Sequence, residues 1–277
     1  MLTFKNLLIG FLLVIGLSAY AQDFKAMSYN IRYASPNDGE NIWDKRKDEL
    51  IKTLQYYQPD FLGIQEGLLH QVNYITEHVN SYKMIGVARD DGQNKGEFSA
   101  IFYNASRFTL LESHTFWLSE TQEVGSKGWD AALPRIYTYG HFKDKKTGKK
   151  LWVFNTHFDH MGLQARTNSA KLLLETIQKV NTKNEPVVLM GDLNSTPETE
   201  AISTLNSGLT DTYSEAQSYG PLGTFTGFDK DLLLENRIDY IYCKNLKVQS
   251  HRHIDDRRPD GYFISDHLPV MVEFSYP

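Results

Sequence analysis

Six polar clusters carry the chemistry that can be read from this sequence. Each borders a run of apolar or β-branched residues: Asn30, Gln65-Glu66, His157-Phe158-Asp159-His160, Gly191-Asp192-Leu193-Asn194, Asp239, and Ser265-Asp266-His267. Strand ends converge in space even when they are far apart in the chain, so the six are candidates to line one pocket. Taken singly, several have plainer readings. Glu66 after Phe61-Leu62-Gly63-Ile64-Gln65 suits a surface or capping residue, and Asp192 before Leu193-Asn194-Ser195-Thr196-Pro197 suits an Asx-turn or a helix cap. Asp239 is harder to dismiss, because a carboxylate inside Ile238-Asp239-Tyr240-Ile241-Tyr242 is costly to bury without a partner. The imidazole of His267 offers one.

Together these residue types match what hydrolysis of a phosphate ester requires. The reaction needs a hard cation on the phosphate, oxygen ligands for that cation, a base for water, and neutral or cationic donors for the developing charge. Glu66, Asp266 and Asn30 are oxygen donors of the kind Mg²⁺ prefers, and only the His157-x-x-His160 spacing hints at zinc. A covalent route lacks a good nucleophile: Cys243 lies on an apolar strand beyond Asp239, and Ser265 precedes Asp266 where a turn residue is expected. Direct attack of water is therefore the expected mechanism.

The elements that must position these residues follow from periodicity. Strands are predicted over residues 23–33, 61–65, 82–87, 99–103, 135–142, 151–157, 187–190, 237–243 and 269–275, and helices over 45–57, 69–79 and 167–180. No repeat, low-complexity linker or composition break interrupts them, so residues 22–277 read as one α/β domain with mixed sheets and helices outside them. The basic run at residues 143–150 reads as a solvated hairpin tip. Residues 219–228, rich in glycine and aromatics, fit either an interfacial hairpin or a packed loop.

The first 21 residues carry one cation at Lys5, an apolar run from Leu7 to Leu17 and a small-residue stretch ending at Ala21. That order predicts a signal peptide cleaved after Ala21 and a secreted or periplasmic product. No later apolar stretch is long enough for a bilayer span. With 41% hydrophobic and 23% charged residues a core can form unaided. Cys243 is the only cysteine, which excludes an intramolecular disulfide. The net charge is −5, and removing Lys5 leaves 28 basic against 34 acidic residues. That balance argues against gripping long duplexes, which calls for a basic face.

The motifs Ser28-Tyr29-Asn30-Ile31-Arg32, Gly63-Ile64-Gln65-Glu66, Asn155-Thr156-His157-Phe158-Asp159, Met190-Gly191-Asp192-Leu193-Asn194, Arg237-Ile238-Asp239-Tyr240 and Ser265-Asp266-His267-Leu268-Pro269-Val270 span nearly the whole chain. In this order they resemble the endonuclease/exonuclease/phosphatase superfamily, in a secreted bacterial branch. The resemblance implies a deoxyribonuclease-I-like four-layer α/β sandwich, two packed mixed β-sheets flanked by helices. It implies a Mg²⁺- or Mn²⁺-dependent hydrolase acting on ester bonds, with Glu66 as principal metal ligand, Asn30 beside it and Asp266 in or near the coordination shell. Asp192 would orient or deprotonate the attacking water, and Asn194 would hold that water or the phosphate. His267 would pair with Asp239 and meet a non-bridging phosphate oxygen, with His157 as a second phosphate contact. Arg135, after Pro134, matches a stretch that sends an arginine into the cleft. Asp159-His160 resembles lipid- and sugar-phosphate branches, so Arg135, Asp159 and His160 are expected at the substrate phosphate. The expected substrate is a phosphorylated small molecule or phospholipid head group, with a secreted nuclease acting on nucleic acid as the alternative. An inactive binding module is a minor alternative, because Glu66, Asp192, Asp239 and His267 are all present. A monomer is expected.

Overall fold

The computed structural model describes residues 24–277, and the leader expected over residues 1–21 lies outside them. The chain runs β1 (Phe24–Asn30), α1 (Trp43–Tyr57), β2 (Phe61–Gln65), α2 (Leu69–His78), β3 (Tyr82–Ile85), β4 (Ile101–Asn104), β5 (Phe108–Trp117), β6 (Ile136–Asp144) and β7 (Lys150–His157). It continues through α3 (Leu163–Val180), β8 (Val187–Asp192), α4 (Glu200–Asn206), β9 (Thr210–Asp211), β10 (Ser218–Tyr219), β11 (Asp239–Lys244), β12 (Lys247–His253) and β13 (Val270–Ser275).

The strands form two mixed sheets, in the orders β10-β12-β13-β1-β2-β4-β3 and β5-β6-β7-β8-β11-β9. Period-two alternation explains why they stack. On β8, Val188 and Met190 join Phe24, Phe61, Val272 and Phe274 between the sheets, while Val187 and Leu189 face outward against Leu173 and Ile177 of α3. On the first sheet, Met27, Tyr29, Leu62 and Ile64 turn outward against Leu50 and Leu54 of α1 and Val72 and Ile75 of α2. The four layers are therefore helix, sheet, sheet and helix, as the motifs implied.

A polar link is built into the inter-sheet core. Asn155 of β7 donates through Nδ2 to the carbonyls of Ile64 (2.8 Å) and Ala100 (2.9 Å), and its Oδ1 accepts from Gln65 Nε2 at 2.7 Å. Position 63 must be glycine for this contact, since a Cβ there would lie 2.7 Å from Asn155 Oδ1.

Several boundaries differ from the sequence reading for local reasons. β3 ends at Ile85 rather than at residue 87, because Gly86 leaves the strand with φ 121°. α3 begins at Leu163, four residues early, because the carboxylate of Asp130 accepts the amides of Gln164 (3.2 Å) and Ala165 (2.7 Å) and caps the helix from a distant loop. The lysines of the 143–150 turn are largely exposed, whereas Asp144 within it is buried against Arg107. The 219–228 segment divides. Tyr219 and Leu222 are exposed, but Thr224 and Thr226 are buried, and Thr224 Oγ1 accepts the amides of Ile238 and Asp239 at 3.1 Å.

Candidate active site

The six clusters meet where the two sheets abut. The first sheet supplies Asn30, Glu66, Asp266 and His267 from the ends of β1 and β2 and the approach to β13. The second supplies His157, Asp192, Asn194 and Asp239 from β7, β8 and β11. The chain turns sharply past three of these strands. Arg32 after β1, Glu66 after β2 and Asn194 after β8 have φ values of 54°, 64° and 45°, left-handed conformations that side chains other than glycine adopt at a cost of about 1–2 kcal/mol.

Asn30 ties the two halves together. Its Nδ2 donates to Glu66 Oε1 at 3.0 Å and to Asp192 Oδ2 at 2.9 Å, and its Oδ1 accepts the Arg32 amide at 3.0 Å. Glu66 Oε2 accepts the Tyr33 amide at 3.2 Å, and the Arg32 guanidinium stands 3.9 Å from Glu66 and 3.7 Å from Asp266. Burial, with the neighbouring charge of Glu66, raises the Asp266 carboxyl above its usual range despite His267, Arg32 and Arg46. Burial and the charge of Asp239 likewise push Asp192 upward. Carboxylates crowded until they hold protons this readily fit a hard divalent cation. Oxygen and nitrogen atoms of Glu66, His157 and Asp192 lie within 4.8 Å of one another, so Asp192 is a further candidate ligand beside the expected Glu66, Asn30 and Asp266.

The two histidines take different charge states. His267 Nδ1 lies 2.9 Å from Asp239 Oδ2, and its Nε2 is 3.7 Å from Asp192 Oδ2. Burial alone would lower its pKa, but Asp239 and Asp192 hold it well above the usual value, as an imidazolium. His157 Nδ1 instead faces Arg135 Nη1 at 2.9 Å. A guanidinium only donates, so this nitrogen accepts, and the ring proton sits on Nε2, 3.4 Å from Asp192 Oδ2. Burial and the positive charges of Arg135 and Arg89 hold His157 neutral, well below its usual pKa.

Arg135 is buried and also donates from Nη2 to His160 Nδ1 at 3.1 Å. Asp159 is buried with its oxygens turned to backbone. Oδ1 accepts the amides of Met161 and Gly162, and Oδ2 accepts that of Leu133 while lying 3.6 Å from Arg135 Nε. Its direct contacts therefore position Arg135 and the loop into α3. The sequence reading missed Arg89 and Glu97, which pair at 2.6 Å in the wall behind Arg135 and Glu66. They sit on a loop without periodicity, and no local pattern marks them.

A pocket with oxygen donors for a cation, a carboxylate of raised proton affinity, an imidazolium and two neutral N–H donors is equipped for metal-assisted hydrolysis of a phosphoester. Residues 27–267 match the Endonuclease/Exonuclease/phosphatase family, and the chain belongs to it. It is a hydrolase of phosphoester bonds in a divalent-metal-dependent family.

Its backbone superposes on an endonuclease/exonuclease/phosphatase family protein from Bacteroides thetaiotaomicron with a TM-score of 0.89 at 39% identity, covering 92% of this chain and 95% of that one. A mannosyl-6-phosphatase from the same organism gives 0.88 at 39% identity, covering 91% of this chain and 100% of that one. Among curated relatives, the 3'-5'-exoribonuclease subunit Ccr4 of the CCR4-Not complex from Mycosarcoma maydis is 24% identical over 93% of this chain. The chain spans only 51% of that protein.

Proposed function

We propose that this protein is an exported, monomeric Mg²⁺- or Mn²⁺-dependent phosphatase that removes the phosphate from a small phosphomonoester of the sugar-phosphate class by direct attack of water. The observation that carries the reading is the buried pair Arg135 and His157 beside Asp192, with the exposed His160 held on the outer side of the same guanidinium. A terminal phosphate dianion carries more charge on one group than a diester does, and clustered guanidinium and imidazole donors answer that charge. The likeness to a mannosyl-6-phosphatase supports the same substrate class. The whole-chain net charge of −5 is unsuited to a duplex.

A divalent ion, held by Glu66 with Asn30 and with Asp266 or Asp192, would supply Lewis-acid neutralisation of the phosphate oxygens. The chain's own groups do the rest. Asp192 takes the proton of the attacking water, with Asn194 beside it. The Nε2–H groups of His267 and His157 donate to non-bridging oxygens as charge builds, and Arg135 fixes His157 for that task. Burial pushes the Cys243 thiol up to about 12, and Ser265 Oγ donates to the Asn30 carbonyl at 2.7 Å, so neither is a ready nucleophile.

The test is hydrolysis by the purified protein, with Mg²⁺ and with EDTA, read as inorganic phosphate from mannose 6-phosphate and p-nitrophenyl phosphate, p-nitrophenol from bis-p-nitrophenyl phosphate, nucleotides from single-stranded RNA and phosphocholine from sphingomyelin. Monoesters should be cleaved fastest and only with metal. Preference for the diester, RNA or lipid would replace this reading with the nuclease or phospholipase one. Export is tested separately by sequencing the N-terminus of secreted material, which should begin at residue 22.

A further inference from the structure

α3 carries two stripes. Ala170, Leu173 and Ile177 pack toward the second sheet, while Gln164, Thr167, Asn168 and Lys171 line a cavity of about 570 Å³. The second set recurs at i, i+3, i+4 and i+7, one face of the helix. The opposite wall is the segment from the end of β8 to the start of α4, where Ser195 lies directly beside Asn194 of the catalytic cluster. Ser195 is buried at 2% exposure, with its carbonyl fixed by Tyr240 Oη at 2.8 Å. Arg166 also lines the space and is tied to the active-site loop through the Asp159 carbonyl at 3.0 Å.

We propose that this cavity is the leaving-group subsite and takes the hydroxyl-rich sugar portion of the substrate. Its volume lies in the range of small-molecule pockets, about 300–1,000 Å³. Its lining offers the amides of Gln164 and Asn168, the Thr167 hydroxyl, the Arg166 guanidinium and the Lys171–Glu200 ion pair at 3.9 Å. A sugar's hydroxyls can use donors and acceptors of this kind together. Among the described residues no aromatic side chain lines it, so it gives a nucleobase nothing to stack on, and their single large apolar side chain there, the 70% exposed Leu163, is too little for an acyl chain.

The proposal rests on the phosphomonoesterase reading above, and the experiment separates the two. Asn168→Ala and Thr167→Trp are compared with the unaltered protein on mannose 6-phosphate and on p-nitrophenyl phosphate, whose leaving group has no sugar hydroxyls. Asn168→Ala should lower kcat/KM for the sugar phosphate about 3- to 10-fold, the factor expected for a lost hydrogen bond, with p-nitrophenyl phosphate unchanged. Thr167→Trp, which fills the cavity, should lower kcat/KM for both substrates, because either leaving group needs that space, and thermal melts confirm that both variants are folded. Equal losses on both substrates in Asn168→Ala, or no loss on either substrate in Thr167→Trp, would overturn the subsite while leaving the phosphatase reading intact. An unaltered protein that cleaves p-nitrophenyl phosphate but not sugar phosphates would overturn the sugar-phosphate reading and the subsite with it.

Discussion

His267 and His157 occupy the same pocket, both almost fully buried, and differ in what touches Nδ1. Asp239 meets one and Arg135 meets the other, each at 2.9 Å. Burial favours the neutral ring in both. For His157 the guanidinium adds to burial and fixes the proton on Nε2, whereas for His267 the carboxylates overcome burial and make a cation. Identical side chains thus give the site one charged donor and one neutral donor.

The comparison is broken most completely at the metal site proposed between the two sides. Glu66→Gln should abolish hydrolysis and weaken Mg²⁺ affinity more than about 100-fold with the fold intact; undiminished binding in calorimetry would take Glu66 out of the coordination shell. Next, Asp239→Asn keeps the shape and removes the charge that sustains His267, and kcat should fall about 10³-fold or more. In single and double alanine variants at Asp239 and His267 the losses should fall short of multiplying, and simple multiplication would mean the two act apart.

Arg135→Met attacks the other side and should cost about 10- to 100-fold in kcat. Long-range ¹H–¹⁵N spectra then report the His157 tautomer, which should no longer be confined to the Nε2–H form. A spectrum unchanged from the parent would deny Arg135 its positioning role.

The smallest effect sharpens the contrast with histidines that have no charged partner on either ring nitrogen. His251 Nδ1 donates to Thr212 Oγ1, which itself donates to the Ile241 carbonyl, and His253 Nδ1 donates to the Pro221 carbonyl. Both Nε2 atoms are buried without partners. Burial lowers His251 to about 2 and lowers His253 as well. Above about pH 6.5 these rings are neutral whether the chain is folded or not and contribute no pH dependence. Below it the unfolded chain takes up protons that the folded chain refuses, so stability falls by up to about 1.4 kcal/mol per pH unit for each ring. Denaturant titrations from pH 7 to pH 5 should show that slope, reduced in His251→Gln. A variant as steep as the parent would place the acid sensitivity elsewhere.

The active-site clusters were legible because each is a polar interruption at the end of an apolar strand, a local pattern. The partners that set their chemistry were less so, since Arg89 and Glu97 come from an aperiodic loop and Asp130 caps α3 from 33 residues before its first residue, Leu163. Among elements, β5 was missed because an edge strand alternates loosely, with Thr109, Leu111 and Glu112 all exposed. β12 was missed because it reads Lys-Val-Gln-Ser-His-Arg-His, nearly all polar, and α4 because seven residues show barely two turns. What propensity could not supply, tertiary packing did.

Asn155 lies deep between the sheets, yet it sets a tolerance for the catalyst. Each sheet carries an incomplete half: Glu66, Asn30, Asp266 and His267 on one, Asp192, Asp239, His157 and Arg135 on the other. Sliding the slabs past each other would shift four reacting groups at once relative to the other four, a collective error that no single rotamer could repair. The amide of Asn155, gripping Ile64 and Ala100 from across the gap, works as a dowel between two machined plates.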